Sequence, residues 1–345
     1  MTDHTARERH DVAAHEPLMR RAMSVAATAR TRARPNPWVG AVLVCADGST
    51  FEGATQAPGE NHAEREAINA ARAAGADVRG SLLVCTLEPC SHLGRTPPCT
   101  DAIIEAGIGH VVAGIGDPDP RVNGEGVRAL RDAGIRVDTG LCADEIEEQL
   151  APYLHHRRTG RPMVMLKMAT TLDARTTIPG GPRWITGESA RRRVHELRAE
   201  SDAILVGAGT VRADDPALTV RDVAGVSPRR IVMSRSQQIP TDAKVHPCTV
   251  TNRAIPDILD ELGDAGTLQL MVEGGPTVAT EFHRLGLVDR YVFHVAPVLS
   301  GAPDAPGVFT GDDARLAAMT ITSITRFDDD LEIVMEPSRE KAEAR

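Results

Sequence analysis

Aromatic residues are scarce. Phe, Trp and Tyr make up 3% of the 345 residues, too few for the stacking platforms that hold single-stranded nucleic acid. Lysine is scarcer still, because only Lys167, Lys244 and Lys341 occur among 39 basic residues. The formal net charge of −9 argues against broad binding to nucleic acid or anionic membranes. It leaves room for a local basic pocket that takes a phosphorylated small molecule. No apolar run approaches the roughly 20 residues needed to span a bilayer. The first stretch, MTDHTARERHDVAAHEP, is polar and has no apolar signal-peptide core, so a cytoplasmic location is expected. Six cysteines in so long a chain make no disulfide framework, and in a reducing compartment metal ligation or burial is expected instead. Cys45, Cys85 and Cys248 stand in or beside strand-like runs and read as small buried apolar residues.

What is present is an α/β pattern long enough for two domains. From about residue 16 to 150 helical and strand-like stretches alternate: helix near 16–30, strands at 39–45 and 51–55 around Asp47-Gly48, helix 63–74, strand 81–87, helix 100–106, strand 110–115, helix 124–133, strand 135–138 and helix 143–150. Residues 155–162, HHRRTGRP, are polar with Gly and Pro and read as a linker, which sets the domains at 1–154 and 163–345. A second α/β set follows, with strands at 163–169, 203–207, 230–233, 268–273 and 289–296, helices at 188–200, 256–263 and 277–285, and two terminal strands near 318–326 and 331–335. The last eight or so residues are charged and expected to fray.

The first half carries a metal constellation. A catalytic zinc takes three N or S ligands and keeps one position open for water. His62, Cys90 and Cys99 supply that set, and Glu64 lies two residues after His62 at a helix start. Zinc lowers the pKa of water from about 15.7 toward roughly 7. Glu64 would accept the released proton and deliver it first to a ring nitrogen, then to the departing amine. A His-x-Glu pair, then Pro-Cys and a further Cys, is the arrangement of zinc deaminases. Cys99 opens a helix, whose dipole favours the thiolate. A closed structural zinc site would want a fourth ligand. His92 is the nearby candidate and reads instead as a loop-ordering or substrate-facing residue.

Zinc deaminases usually space their two cysteines by two residues; here SHLGRTPP intervenes. That insertion, with RPNPWVGAVLV (34–44), NHAE (61–64), EPCSHLGRTPPC (88–99) and DPDPRVNGEG (117–126), resembles the bifunctional riboflavin-biosynthesis deaminase–reductases. The second half matches the same family through RPMVMLKMATTLDART (161–176), RWIT (183–186), HELRAESDAILVGAGTVRADDPALTVR (195–221) and LMVEGGPTVATEF (270–282). The resemblance implies a cytidine-deaminase-like α/β/α domain followed by a dihydrofolate-reductase-like α/β domain. It implies zinc-dependent deamination of a phosphoribosylated diaminopyrimidinone, then NADPH-dependent reduction of the ribose to a ribityl chain, in a homo-oligomer (dimer or tetramer). Asn36, Arg95 and Asp117 would contact the deaminase substrate.

In the second half two strands end in glycine-rich connections before helices, at Gly207-Ala208-Gly209-Thr210 and at Gly274-Gly275-Pro276-Thr277. Helix N-termini there would offer N–H groups to a pyrophosphate, although neither is the dinucleotide-binding fingerprint GxGxxG. Lys167 alone in an apolar strand suggests a compact cation serving a pocket. The resemblance places Thr170, Trp184, Thr210, Asp214, Gly274, Gly275, Pro276 and Thr277 at the cofactor. It places Lys167, Arg198, Leu218, Arg221 and Glu273 at the reductase substrate, the two arginines as forks for its phosphate. No residue marks itself as the acid of the reductive step.

Three positions depart from the family pattern. Ala174 stands where SLDG has glycine, so the turn is expected to be reshaped. Pro182 replaces a frequent serine before Arg183-Trp184, and Asp119 replaces the asparagine of DPNP. These departures keep open a chain in which one half is only a binding or scaffold module. A nucleic-acid-editing deaminase would instead need a basic groove and stacking aromatics.

Overall fold

The computed structural model describes residues 13–94, 96–119, 122–311 and 317–338. The chain divides into two compact units, Met1–Thr159 and Gly160–Arg345. The N-terminal dozen residues, Arg95 and the charged C-terminal tail lie outside the described residues. No described helix is long and apolar enough to cross a membrane.

The first unit runs α1 (Glu16–Ala27), β1 (Gly40–Val44), β2 (Thr50–Ala54), α2 (Ala63–Ala73), β3 (Leu82–Leu87), α3 (Cys99–Ala106), β4 (His110–Ile115), α4 (Glu125–Asp132), β5 (Arg136–Thr139), α5 (Ala143–Gln149) and α6 (Ala151–Thr159). Its five-stranded sheet has the order β2-β1-β3-β4-β5. β1 is antiparallel to β2 and β3, whereas β3, β4 and β5 are parallel. Helices cover both faces, so β3 and β4 are almost wholly buried and almost wholly apolar, as parallel strands between two helical layers must be. Gly40 and Gly53 bring those layers close. A Cβ on Gly40 would stand 1.9 Å from the Ala22 carbonyl oxygen of α1, and one on Gly53 would stand 2.0 Å from that of Ala63 in α2.

The expected linker at 155–162 is helical through Thr159. Its composition is polar because only one side of α6 is covered, by burial of Pro152, Tyr153, Leu154 and His156. Only 160–162 remain irregular before β6.

The second unit runs β6 (Met163–Thr171), α7 (Glu188–Glu200), β7 (Ala203–Gly207), α8 (Ala208–Asp214), β8 (Arg229–Met233), β9 (Thr249–Thr251), α9 (Ile255–Asp264), β10 (Gln269–Val272), α10 (Pro276–Arg284), β11 (Arg290–Ala296), β12 (Met319–Phe327) and β13 (Asp330–Pro337). The eight strands order as β12-β13-β11-β6-β10-β7-β8-β9. All neighbours from β11 to β9 are parallel; β13 and β12 add antiparallel at one edge. Side chains alternate between two cores. Leu166 and Leu270 pack with Ile258 and Phe282 of α9 and α10, while Met165 and Met271 pack with Val194 and Leu197 of α7. Lys167 follows Met165 on the α7 face.

Ala174 keeps the left-handed turn, at φ +59°. The expected reshaping does not occur, because Asp173 beside it fastens the turn to residues 300 and 301. Cys45 and Cys85 are buried as expected; Cys248 is only partly so.

Candidate active sites

His62 is the last extended residue before α2, at φ −80° and ψ 167°, and Glu64 lies in the first turn of that helix. Cys90 follows the end of β3 across Glu88-Pro89, and Cys99 opens α3. Three separate segments thereby meet. His62 Nδ1 lies 3.5 Å from Cys90 Sγ and 3.4 Å from Cys99 Sγ. Tetrahedral zinc with nitrogen at about 2.0 Å and sulfur at about 2.3 Å holds N and S about 3.5 Å apart. The donors fit that ion in kind and in spacing. Among the described residues no fourth His, Cys, Asp or Glu atom joins the group. His92 stands outside it, its Nδ1 buried with no hydrogen-bond partner among the described residues.

The electrostatics suit a cation. Without metal the two thiols compete for one proton. The hydrogen bond from Cys99, aided by His62, brings Cys90 down to about 4, while the same bond and burial push Cys99 well up. The Cys99 backbone N–H also points to Cys90 Sγ at 3.4 Å. Glu64 is 3% exposed. Burial first, and then the negative charge of Cys90, push its carboxyl above the ordinary range, the direction that favours a group able to take and return a proton.

Of the residues expected at the substrate, Asn36 is half-buried and precedes β1. Gly40 donates to Thr86 Oγ1 at 3.2 Å, which brings that segment to the end of β3 that carries the metal loop. Asp117 is engaged within the fold. Its carboxylate accepts the Tyr153 hydroxyl at 3.0 Å on both oxygens and the Asp119 N–H at 2.9 Å, and burial pushes its pKa up. Its charge is used inside the fold. Arg95 lies outside the described residues. Glu88, which the sequence reading passed over, accepts backbone N–H groups from Asp117 (3.3 Å), Gly124 (3.0 Å) and Val127 (3.0 Å). Nothing local in the sequence marks it, since its partners are 29 to 39 residues away.

In the second unit a cleft of about 1230 Å³ gathers Lys167, Trp184, Arg198, Thr210, Asp214, Arg221, Glu273, Gly274, Gly275, Pro276 and Thr277. Thr170 and Leu218 do not line it; both are buried, Leu218 at φ +54° within the α7-side core. The glycines serve a purpose the sequence did not suggest. Gly275 donates to Thr210 Oγ1 at 3.0 Å, and Cβ atoms on Gly207 and Gly274 would meet Val278 at 2.9 and 3.0 Å. The two connections are packed against each other.

Arg198 lines the same cleft and is paired with Glu273. Its Nε and Nη2 donate to the two oxygens of Glu273, both at 2.8 Å, and Nη1 reaches Thr219 O at 3.3 Å. The fork that would meet a phosphate is taken. Burial alone would raise Glu273; the Arg198 charge and hydrogen bonds, with Lys167, reverse that and leave it lowered. Lys167 is lowered, by burial first, with Glu273 opposing. Arg221 is more open, with Nη1 on Thr219 Oγ1 at 3.0 Å. Trp184 is 57% exposed, its ring flanked by the guanidinium groups of Arg183 and Arg191 at 5.0 and 5.6 Å. Pro182 is exposed.

An α/β/α unit in which three zinc-type donors converge beside a buried carboxylate has the arrangement of a zinc-dependent deaminase, and the second α/β unit offers a large cleft for a ligand. Residues 12–115 match the cytidine and deoxycytidylate deaminase zinc-binding region, and residues 162–333 match the RibD C-terminal domain. The chain is 36% identical to riboflavin biosynthesis protein RibD of Bacillus amyloliquefaciens, over 93% of this chain and 96% of the relative. It is 38% identical to that of Escherichia coli (strain K12), over 86% and 90%. A solved Thermotoga maritima structure, described as a diaminohydroxyphosphoribosylaminopyrimidine deaminase/5-amino-6-(5-phosphoribosylamino)uracil reductase, superposes with a TM-score of 0.85 at 33% identity, over 96% of this chain and all of that one. The chain belongs to the RibD family of bifunctional riboflavin-biosynthesis deaminase–reductases.

Proposed function

We propose that the first unit hydrolyses 2,5-diamino-6-(5-phosphoribosylamino)pyrimidin-4-one to the corresponding uracil and ammonia, with His62, Cys90 and Cys99 as zinc ligands and Glu64 as proton shuttle. The meeting of those three donors beside a buried carboxylate carries this reading. Zinc, when bound, supplies water acidified toward neutral pKa. Glu64 takes the proton of that water, passes it to the ring nitrogen next to the amino-bearing carbon, and carries the second proton to the departing amine. Burial keeps the carboxyl dry between transfers. Asn36 faces the pyrimidine.

The second unit reduces the ribose of 5-amino-6-(5-phosphoribosylamino)uracil to a ribityl chain. NADPH supplies the hydride. Trp184, Thr210, Asp214 and the N-terminus of α10 hold the cofactor. Glu273, fixed by Arg198, takes sugar hydroxyls, and Arg221 offers its guanidinium to the phosphate. Lys167, buried beside Glu273, steadies the sugar oxygen that gains negative character.

Glu64→Gln separates metal binding from chemistry. The variant is expected to keep one zinc per chain and lose ammonia release by at least about 10²-fold, the scale of general acid–base catalysis. Undiminished ammonia release from the zinc-loaded variant would remove Glu64 from the mechanism.

A further inference from the structure

Two sets of buried contacts converge on the segment after β4. From the metal side, Glu88 stands two residues before Cys90 and gathers the N–H groups of Asp117, Gly124 and Val127. A Cβ on Gly126 would lie 2.0 Å from the carbonyl oxygen of Pro89, so the segment lies directly on the metal loop. From the other side, α6 presents Tyr153 and Arg157, one turn apart on one face. Tyr153 gives its hydroxyl to Asp117. The Arg157 guanidinium lies over the Tyr153 ring at 5.0 Å, and its Nε comes to 3.9 Å from Asp119 Oδ2. That Nε is buried with no hydrogen-bond partner among the described residues.

Asp117 and Asp119 are 7% and 6% exposed. Two buried carboxylates two residues apart repel unless a cation or donors answer them. Tyr153 donates to the first, and Arg157 brings a cation to 3.9 Å from the second. Arg157 is thus the local counterpart of the departure at 119, where an acid stands in place of the asparagine of the DPNP pattern. We propose that Glu88, Tyr153 and Arg157 are positioning residues of the deaminase. They hold Asp117, Asp119 and residues 122–127 against the metal loop, with Arg157 balancing the charge of Asp119. The proposal rests on the reading of the first unit as the deaminase.

Coupling between positions 119 and 157 is the discriminating measurement. Steady-state ammonia release by the zinc-loaded full chain is compared for the parent, Tyr153→Phe, Arg157→Met, Asp119→Asn and the double variant Arg157→Met/Asp119→Asn. Tyr153→Phe keeps the ring and removes one hydrogen bond to a charged group, so KM is expected to rise about tenfold with kcat little changed. Arg157→Met is expected to raise KM by a similar factor. Adding Asp119→Asn removes the charge that needed balancing and is expected to restore KM to within about twofold. An Arg157→Met penalty that is the same with Asp or Asn at 119, or an unmoved KM in Tyr153→Phe, overturns the proposal. Zinc content and NADPH-dependent reduction of the deaminated substrate are expected to stay at parent values in every variant. Hydrogen exchange supplies a readout independent of turnover: the Gly124 and Val127 amides are expected to exchange at least about tenfold faster in Glu88→Gln. Unchanged exchange there would equally sink the anchoring role. A parent that binds zinc but releases no ammonia would overturn the functional reading, and the exchange rates would still decide the anchors.

Discussion

Asp173 and Ala174 are adjacent and act in opposite directions. Ala174 sits at φ +59°, where an L side chain costs about 1–2 kcal/mol. Asp173 is the compensation: its carboxylate accepts the Thr171 hydroxyl and the N–H groups of Ser300 and Gly301, at 3.0 and 2.9 Å for the last two. These donors, Thr171 first, hold its pKa at about 2, below the roughly 3.9 of an unfolded aspartate. A depressed folded pKa adds stability that is complete above the unfolded value and fades as pH falls through the folded one. Asp173→Asn is therefore expected to lower the denaturation midpoint of the second unit at pH 5–7, with the difference shrinking as pH drops from about 4 toward 2. A difference that stays constant over that range would mean the negative charge is not what the turn uses. Residues such as these separate what can be read from a sequence from what cannot. His62, Glu64, Cys90 and Cys99 were legible because zinc chemistry demands those types in short, ordered strings. The Arg198–Glu273 pair was not, because the partners are 75 residues apart and an arginine fork suits a carboxylate as well as a phosphate. The Asp117–Tyr153 bond was hidden for the same reason, its partners being 36 residues apart.

Among elements, the buried strands were the clearest, since runs such as LLVCTL and AILVG allow little else between two helical layers. α8 and β9 escaped notice. The first is a seven-residue helix with a glycine near its start, and the second has three residues, both too short for periodicity to show. α6 was hidden differently: HHRRTGRP looks like a linker, and its burial depends on a face that the preceding residues begin. The helix matters to function because it sets Tyr153 and Arg157 one turn apart. Two glycines inserted between Leu154 and His155 would move Arg157 out of register with Tyr153 and add two poor helix formers, at about 1 kcal/mol each. Ammonia release is expected to fall at least tenfold. The same insertion after Thr159, past the end of the helix, is expected to leave ammonia release near the parent value. Equal rates from the two insertions would show that α6 has no part in deamination.

On the scale of the whole chain, two chemistries are housed in two units that each possess a core. All three zinc donors and Glu64 belong to the first unit; every residue of the large cleft belongs to the second. Metal binding supports the fold that holds its ligands, and the second unit draws its stability from the apolar layers on either side of its own sheet. Stripping zinc with a chelator is therefore expected to abolish ammonia release while NADPH oxidation continues undiminished when the deaminated substrate is supplied directly. Restoring zinc is expected to restore ammonia release alone. Loss of NADPH oxidation together with zinc would contradict the division. The complementary experiment gives the intact, zinc-loaded chain the diamino substrate and NADPH together. Ribityl product should form; deaminated intermediate accumulating unreduced would mean that the second unit is a binding module and not a reductase.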